Sequence, residues 1–243
     1  MAEKIARCSG PVGVERVRPM TFEDKGLESA AMQRAPARRA IKQDRAVKTR
    51  QDILNSAITL FARRGILATT MAELARAIHM TPGALYWHFP TKEDLLLAAV
   101  EELHQRFVKS FEPLLTEMMK WPAAKQLEAF CKHTAQFLED NREHGIFYGM
   151  VGAEAAENTQ DVATALRSAL QVYVAAIHQI IRYGQEKTKE FRTDVDAQTL
   201  ANAIIFGNIG LVVQHNLFRE SLSYAPIVQS MHQVVLKGVL REK

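Results

Sequence analysis

The chain of 243 residues is long enough for one or two domains around a sizeable core, and 47% of its residues are hydrophobic. Its two cysteines exclude a disulfide framework, so a reducing compartment is expected. The sequence has no run of about 18 apolar residues and no apolar core near its start. It therefore predicts neither a transmembrane helix nor a secretory signal, and we expect a cytoplasmic protein.

The charge is divided unevenly along the chain, whose formal net charge is +4. Residues 1–92 carry 16 Lys and Arg against 8 Asp and Glu, whereas residues 93–243 carry 15 against 19. A basic first part and an acidic second part indicate that only the first part meets a polyanion such as nucleic acid. A basic tail outside any folded domain is the alternative explanation, because twelve of these basic residues precede residue 51.

The first segment, residues 1–44, mixes Gly, Pro, Ser and Arg without a helical or strand period. We predict that this basic arm is mostly disordered. From Arg45 onward the apolar residues recur at helical spacing, and Gly65 ends the first such pattern.

The rest of the chain is predicted to be helical, which gives an all-α fold of about nine helices. Two short helices are expected at 71–78 and 82–88. Longer helices are expected at 92–119, 122–141, 143–156, 160–187, 195–219 and 225–241. The predicted domains are the arm 1–44, a helix-turn-helix domain 45–92 with its motif at about 70–89, and a ligand-binding and dimerisation domain 93–243.

Three threonines open helices in the first domain. Thr70, three residues before Glu73, predicts a capping box, and Thr81 precedes a proline at the first helical position. Thr91 is followed by acidic residues, which the helix dipole favours in a first turn. Two short helices joined by the turn 78–80 and preceded by a longer helix follow the helix-turn-helix plan. Residues 82–88 are therefore the predicted recognition helix.

The residues of this recognition helix are suited to contact with DNA. Gly83 and Ala84 are small, so the backbone can approach base edges, and Thr81 offers a hydroxyl group. Tyr86 and His88 carry polar tips suited to phosphate contact. Thr70 and Lys92 lie at helix N-termini, where a phosphate is also favoured.

Part of the same region is expected to form the core of the domain. An aromatic run is more often buried than exposed when it occurs in isolation, and we expect Trp87 to be at least partly packed. The residues predicted to hold the three helices together are Leu74, Ile78, Leu85 and Phe89.

Over about residues 46–100 the sequence closely resembles the DNA-binding domain of the TetR/AcrR family. The resemblance is carried by Thr-Met-x-x-Leu-Ala in the second helix and by Gly-Ala-Leu-Tyr-Trp-His-Phe-x-x-Lys-x-x-Leu in the third and fourth. It implies a homodimer with two recognition helices in successive major grooves of a pseudo-palindromic operator. It also implies a helical C-terminal domain with an effector pocket and a dimer-forming helix pair. The implied DNA-binding residues are Thr70, Thr81, Pro82, Gly83, Ala84, Tyr86, Trp87, His88 and Lys92.

This sequence departs from the family pattern in two places. The basic arm before residue 45 is longer than the usual lead and can add phosphate or minor-groove contacts. The turn Ile78-His79-Met80 lacks the glycine that is often found there.

In the C-terminal domain, Pro113 lies inside a predicted helix, where a kink is expected.

A dimer interface is predicted at the end of the chain. Residues 199–213 are apolar nearly all round, so both faces must be covered, and a partner subunit can cover one of them. A helix central to a single domain is the alternative. The predicted interface is a four-helix arrangement of 195–219 and 225–241. Its small residues are Ala201, Ala203, Gly207 and Gly210, and its stripe on the last helix is Val228, Met231, Val235 and Val239.

An effector pocket is predicted from aromatic and polar residues of the C-terminal domain, with plain core packing as the alternative for each residue. The candidate lining residues are Phe107, Phe111, Phe130, His133, Phe137, Tyr148, Glu154, Tyr173 and His178.

An enzyme is the first alternative function. Cys131 and His133 point about 200° apart on a helix, so they do not form a nucleophile and base pair. Asp140 and His144 lack a third metal ligand, and the sequence has no Gly-rich phosphate loop. An activator, or an architectural protein anchored on DNA, is the second alternative. We therefore predict a ligand-responsive repressor that uses no cofactor.

Overall fold

The computed structural model describes residues 34–217 and 224–241. The chain divides into two compact units, Met1–Asp52 and Ile53–Lys243. The described part of the first unit is helical, and the Thr49 hydroxyl there donates to the Arg45 carbonyl at 2.8 Å. Predictions for residues 1–33 lie outside the described residues.

The described ranges contain nine helices and no strand, which confirms the all-α prediction. A single isolated bridge joins Phe191 and Leu240. The helices are α1 (Arg34–Arg64), α2 (Met71–Ala77), α3 (Pro82–His88), α4 (Lys92–Met118), α5 (Ala123–Asp140), α6 (Arg142–Asn158), α7 (Gln160–Glu186), α8 (Ala197–Leu217) and α9 (Tyr224–Val239).

The start of α1 differs from the prediction, since the helix begins at Arg34 and not near Arg45. Residues 37–43 consist mostly of Ala, Arg, Lys and Gln, which are strong helix formers even without an amphipathic period. Pro36 lies in the first turn, where its missing N–H breaks no helical hydrogen bond. The ends of the other predicted helices agree with the observed ends within two residues.

The three threonine caps stabilise the starts of α2, α3 and α4 as predicted. The Thr70 hydroxyl accepts the Glu73 N–H at 3.2 Å, and the Glu73 carboxylate accepts the Thr70 N–H at 3.0 Å. Thr91 forms the same reciprocal pair with Asp94, both bonds being 3.0 Å long. The Thr81 hydroxyl accepts the Ala84 N–H at 3.3 Å. These local bonds define the helix ends.

The predicted core residues hold α2 and α3 together. Leu74, Leu85 and Phe89 are buried, and Ile78 is partly buried against them. The turn between the two helices places His79 at φ 55°, in the left-handed region that favours glycine.

Helices α4 to α9 form a packed helical body. Helix α7 contacts α4, α5, α6 and α8, and α9 packs on α5 and α8. Helices α6 and α8 approach closely at two glycines. A Cβ atom at Gly145 would lie 2.7 Å from the Val212 side chain, and one at Gly149 would lie 2.4 Å from the Val213 side chain. Glycine is therefore needed at both positions for this packing.

Helix α8 contains the most apolar stretch of the described chain. The segment Ala197–Gln214 is long and apolar enough to cross a membrane by length and composition, with a mean hydropathy of 1.2, and 33% of it is buried. The segment is not an uninterrupted apolar run, because Gln198, Asn202 and Asn208 lie within it. In the structure this segment packs against α6 and α7, and one of its large side chains, Phe206, is 53% exposed.

Replacing His79 with glycine should raise the free energy of unfolding by about 0.5–1 kcal/mol, because glycine adopts the left-handed conformation without steric cost. The same change at Arg76, inside α2, should lower it by about 1 kcal/mol. Urea unfolding of both variants measures the two effects. A loss of stability in His79→Gly would contradict the strain assigned to this turn.

Candidate nucleic-acid interface and effector cavity

Helix α3 presents most of its surface to solvent. Within α3 only Leu85 is buried, while Pro82, Gly83, Tyr86 and Trp87 are exposed. Ala84 and His88 are partly exposed, and Thr81 is exposed at the cap. The structure therefore brings the predicted DNA-contact residues of 81–88 onto one short, accessible helix.

Trp87 is 75% exposed, so the expectation that it is at least partly packed was wrong. Residues two positions apart on a helix point about 200° apart. Because Leu85 points into the core, Trp87 points away from it. The Trp87 ring contacts only the edge of the neighbouring His88 ring among the described ring pairs, at 4.7 Å between centroids.

Gly83 is not required by the fold of this chain. It has no positive φ angle, and a Cβ atom placed on it would meet no atom within 4 Å. A glycine near the start of a helix with open space around it lowers helix stability without any packing reason. This is the arrangement expected where the backbone itself approaches a partner.

Thr70 and Lys92 contact other parts of the protein. The Thr70 hydroxyl donates to Glu73 at 2.8 Å, and these bonds to Thr70 lower the pKa of the Glu73 carboxyl. The Lys92 ammonium donates to the Ile66 carbonyl at 3.0 Å and to the Thr69 carbonyl at 3.2 Å. From the sequence, Lys92 was expected to contact only phosphate. The two carbonyls lie more than twenty residues away in the chain, so no local pattern indicated that Lys92 would bind them.

The segment between α1 and α2, residues 65–70, is held by a carboxylate from a distant helix. Glu154 of α6 accepts the Ile66 N–H at 2.6 Å and the Leu67 N–H at 2.9 Å through the same oxygen, Oε2. Gly65 has a φ angle of 79°, and a Cβ atom there would lie 2.0 Å from Glu154 Oε1. The backbone conformation therefore favours glycine at position 65, and a larger residue would also displace the Glu154 carboxylate.

Glu154 was expected to line the effector pocket, and the structure corrects this expectation. Its carboxylate binds the α1–α2 connection and does not line the aromatic cavity. No local pattern indicated this contact, since 88 residues separate the two hydrogen-bonded groups.

Seven of the predicted pocket residues form one continuous aromatic cluster in the body. Phe107 lies at its centre, with ring centroids 4.5 Å from Tyr173 and 5.1 Å from Phe137. The cluster continues from Phe111 to Phe130 and His133, and from His144 to Tyr148. Helices α4, α5, α6 and α7 therefore contribute to a shared aromatic core.

A cavity of about 40 Å³ adjoins this cluster. Of the predicted residues, Phe107, Tyr148 and Tyr173 line it directly. The other eight lining residues were not predicted, and they include Thr134, Leu138, His144 and Asn208. The rest of the lining is Gly145, Leu170, Ile205 and Ile209.

His178 was also expected in this pocket, but it lies in a different place. It lines a separate cleft of about 490 Å³ between α7 and α8, together with Phe206. His178 follows Tyr173 by five residues, which turns its side chain to another face of α7. His178 therefore does not line the aromatic cavity.

Burial controls the protonation of the groups at the aromatic cavity. It lowers the pKa of His144 to about 3, with a further lowering by the positive charge of Arg106, and it raises the pKa of Tyr148 to about 12. Burial also raises the pKa of the Cys131 thiol, which does not line the cavity, to about 12. These groups are therefore neutral at neutral pH.

The residue pairs considered for catalysis do not form catalytic sites. His133 Nε2 lies 2.9 Å from the Ser110 hydroxyl, while Cys131 is buried on the same helix. Asp140 accepts a hydrogen bond from Gln136 and is exposed, whereas His144 is buried. Across the described residues, no group of three or more His, Cys, Asp or Glu side chains is arranged to hold a metal ion.

The predicted dimer stripe on α9 is only partly available to a partner. Val228 and Val239 are buried within their own subunit, because α9 packs on α5 and α8. Met231 and Val235 are partly exposed, and the neighbouring Val234 is 71% exposed. The apolar side chains of α9 that a partner could contact are therefore those of Met231, Val234 and Val235, and not the whole predicted stripe.

Family models match both parts of the second unit. Residues 53–99 match the model described as bacterial regulatory proteins of the tetR family. Residues 123–231 match the tetracyclin repressor-like C-terminal domain. Together the two matches cover more than half of the chain.

Individual relatives agree with this result. The regulator AcrR of Shigella flexneri is 47% identical over 57 residues, which are 24% of this chain and 26% of that protein. The regulator MbdR of Azoarcus sp. CIB has the same fold, with a TM-score of 0.69 at 22% identity over 79% of this chain and 98% of that one. The regulator FadR of Bacillus subtilis, in complex with stearoyl-CoA, has a TM-score of 0.64 at 17% identity over 78% and 98% of the two chains.

Replacing Glu154 with alanine should lower the free energy of unfolding by about 1–3 kcal/mol, because two backbone N–H groups lose their acceptor and Ile66 is buried. Glu154→Gln keeps an oxygen acceptor and should lose less. Urea unfolding measures the effect, with the exposed Glu157→Ala on the same helix as the control. Equal stability of the two alanine variants would contradict a structural role for Glu154.

Proposed function

Because the chain belongs to the TetR family of bacterial regulatory proteins, we propose that it binds operator DNA as a homodimer and represses transcription until an effector binds. It is a DNA-binding regulator and not an enzyme. We place it in the cytoplasm, where its DNA is accessible, and propose no cofactor for it. The observation that carries the proposal is the exposed helix α3, with an unhindered glycine at its second position.

The recognition helix is proposed to lie in the major groove with Thr81, Gly83 and Ala84 at the base edges. Their small size fits close approach, and the absence of a packing role for Gly83 fits a contact made by the backbone. Tyr86 and His88 are proposed to contact phosphates beside them, with Thr70 and Lys92 at neighbouring helix starts. Since the Lys92 ammonium already binds two carbonyls, its substitution would disturb the fold as well as DNA binding.

The dimer is proposed to form through α8 and α9. Phe206 and Val234 are large apolar side chains that one subunit leaves more than half exposed. The segment Ala197–Gln214 contains no charged residue, so a second subunit can cover it without burying an unpaired charge. In a symmetric pair the same residues meet from both sides.

The effector is proposed to act through α6. This helix carries His144 and Tyr148 at the cavity and Glu154 at the α1–α2 connection. An effector that binds better when α6 is displaced would lower DNA affinity by linkage. The complex of FadR with stearoyl-CoA supports an effector-binding role for this fold, although the ligand is that protein's own.

Replacing Gly83 with alanine should have opposite effects on stability and on DNA binding. Helix propensity should raise the free energy of unfolding by about 0.5–1 kcal/mol, since the methyl group enters open space. The same methyl group should lower operator affinity by about tenfold or more, because it separates the backbone from the base edges. Electrophoretic mobility shifts on duplexes that the wild-type protein selects from a random pool measure the affinity.

Gly152→Ala is the matched control, because Gly152 also has no atom within 4 Å of its added Cβ and lies on α6. It should gain similar stability and keep operator affinity in the absence of effector. If Gly83→Ala bound the selected duplex as tightly as Gly152→Ala, the assignment of α3 as the recognition helix would be rejected.

Placing a charge on the proposed dimer face should shift the protein toward the mass of one subunit, 27.3 kDa. Val234→Asp and Phe206→Asp each bury a carboxylate if the face is covered by a partner. Sedimentation equilibrium measures the mass, with Met119→Asp, 41% exposed at the end of α4, as the control. Dimers that persist in both face variants would argue against an interface of α8 and α9.

A further inference from the structure

Two residues that line the aromatic cavity each carry a buried polar atom without a partner among the described residues. Thr134 Oγ1 and His144 Nδ1 are buried without a hydrogen-bond partner, and both residues line the cavity. A buried polar atom without a partner lowers stability, so native proteins rarely retain one without a purpose. These two atoms therefore mark a place where a bound molecule can supply the missing hydrogen bonds.

The other polar side chains at the cavity already have partners within the protein. The Tyr173 hydroxyl lies 3.1 Å from His104 Nδ1 and 3.4 Å from the Tyr148 hydroxyl. Asn208 donates to the Ile204 carbonyl at 2.9 Å, and its oxygen lies 3.2 Å from His232 Nε2. The hydrogen-bonding capacity left for a ligand is therefore concentrated at Thr134 and His144.

The charge of the lining excludes an ionic ligand. No Lys, Arg, Asp or Glu residue lines the cavity. Burial keeps His144 neutral by lowering its pKa to about 3 and keeps Tyr148 neutral by raising its pKa to about 12. A carboxylate or an ammonium group would find no countercharge among the lining residues, and the nearby Arg106 is already paired with Glu102 at 2.7 Å, so burial of a charge is unfavourable.

The shape of the lining favours a flat ring. Phe107 and Tyr173 meet edge to face, with centroids 4.5 Å apart, and His144 stacks on Tyr148 with centroids 5.0 Å apart. Aromatic rings gain from such edge and stacked contacts beyond the area they bury. The remaining walls are aliphatic, from Leu138, Leu170, Ile205 and Ile209.

From these contacts the geometry points to an uncharged, compact aromatic molecule with one hydrogen-bonding substituent, of the phenol or indole class, as the ligand held by Thr134 and His144. This inference rests on the proposed function, because it names the class of effector. A cavity of about 40 Å³ holds only a few water molecules, so a ring must widen it on entry. The widening acts on α6, which carries both His144 and Glu154.

The test uses the full chain and four probes: phenol, indole, benzoate and palmitate. Calorimetric titration and thermal unfolding should show binding of phenol or indole, and no binding of the two anions. Thr134→Val should lower affinity for the bound probe about tenfold. It should also raise the unfolding midpoint of the ligand-free protein, because it removes an unpaired hydroxyl group. His144→Phe should weaken binding in the same way.

Thr159→Val is the matched control, since the Thr159 hydroxyl is also buried without a partner but does not line the cavity. It should leave probe affinity unchanged. The inference is overturned if benzoate or palmitate binds in preference or if Thr134→Val binds the probe like wild type. It is also overturned if Thr134→Val lowers the midpoint of the ligand-free protein, as loss of a bound water would.

Operator binding by the ligand-free protein separates this inference from the proposed function. If the protein binds its selected duplex but none of the four probes, the ligand class is wrong and the DNA-binding function stands. If the ligand-free protein selects no duplex, the proposed function fails, whatever the probes show.

Discussion

The position of the DNA-reading helices depends on how the short connection between α1 and α2 is held. The Glu154 carboxylate accepts the N–H groups of Ile66 and Leu67, and the Lys92 ammonium donates to the carbonyls of Ile66 and Thr69. Gly65, Ile66 and Thr69 of this connection are buried, and charged side chains from two other helices bind backbone groups of the connection. Any movement of α6 or of the start of α4 must therefore change the environment of this connection.

Helix α6 is suited to transmit such a movement because its own helical stability is low. It contains three glycines, Gly145, Gly149 and Gly152, each of which costs about 1 kcal/mol relative to alanine in a helix interior. Two of them permit close packing against Val212 and Val213 of α8. A helix that is held by packing more than by propensity responds when that packing changes.

The surface of α3 and the aromatic cavity differ in the side chains they present. The described surface of α3 carries aromatic and small residues beside exposed cap groups, and the first part of the sequence is basic. The aromatic cavity, in contrast, is lined by neutral groups, since desolvation suppresses ionisation of His144 and of both tyrosines. The proposed DNA-contact helix and the proposed ligand cavity therefore use different helices, and α6 contributes to the cavity and, through Glu154, to the α1–α2 connection.

The sequence by itself determined the three threonine caps, the short helix α3 and the helix ends other than the start of α1, because capping and helical periodicity act over a few residues. It also indicated the aromatic cluster, although not which members line the cavity. Only the tertiary structure decided the partners of Glu154 and Lys92, the exposure of Trp87 and Val234, and the burial of Val228. These outcomes depend on which helices pack against each other, and such contacts join residues far apart in the chain, where local patterns carry no information.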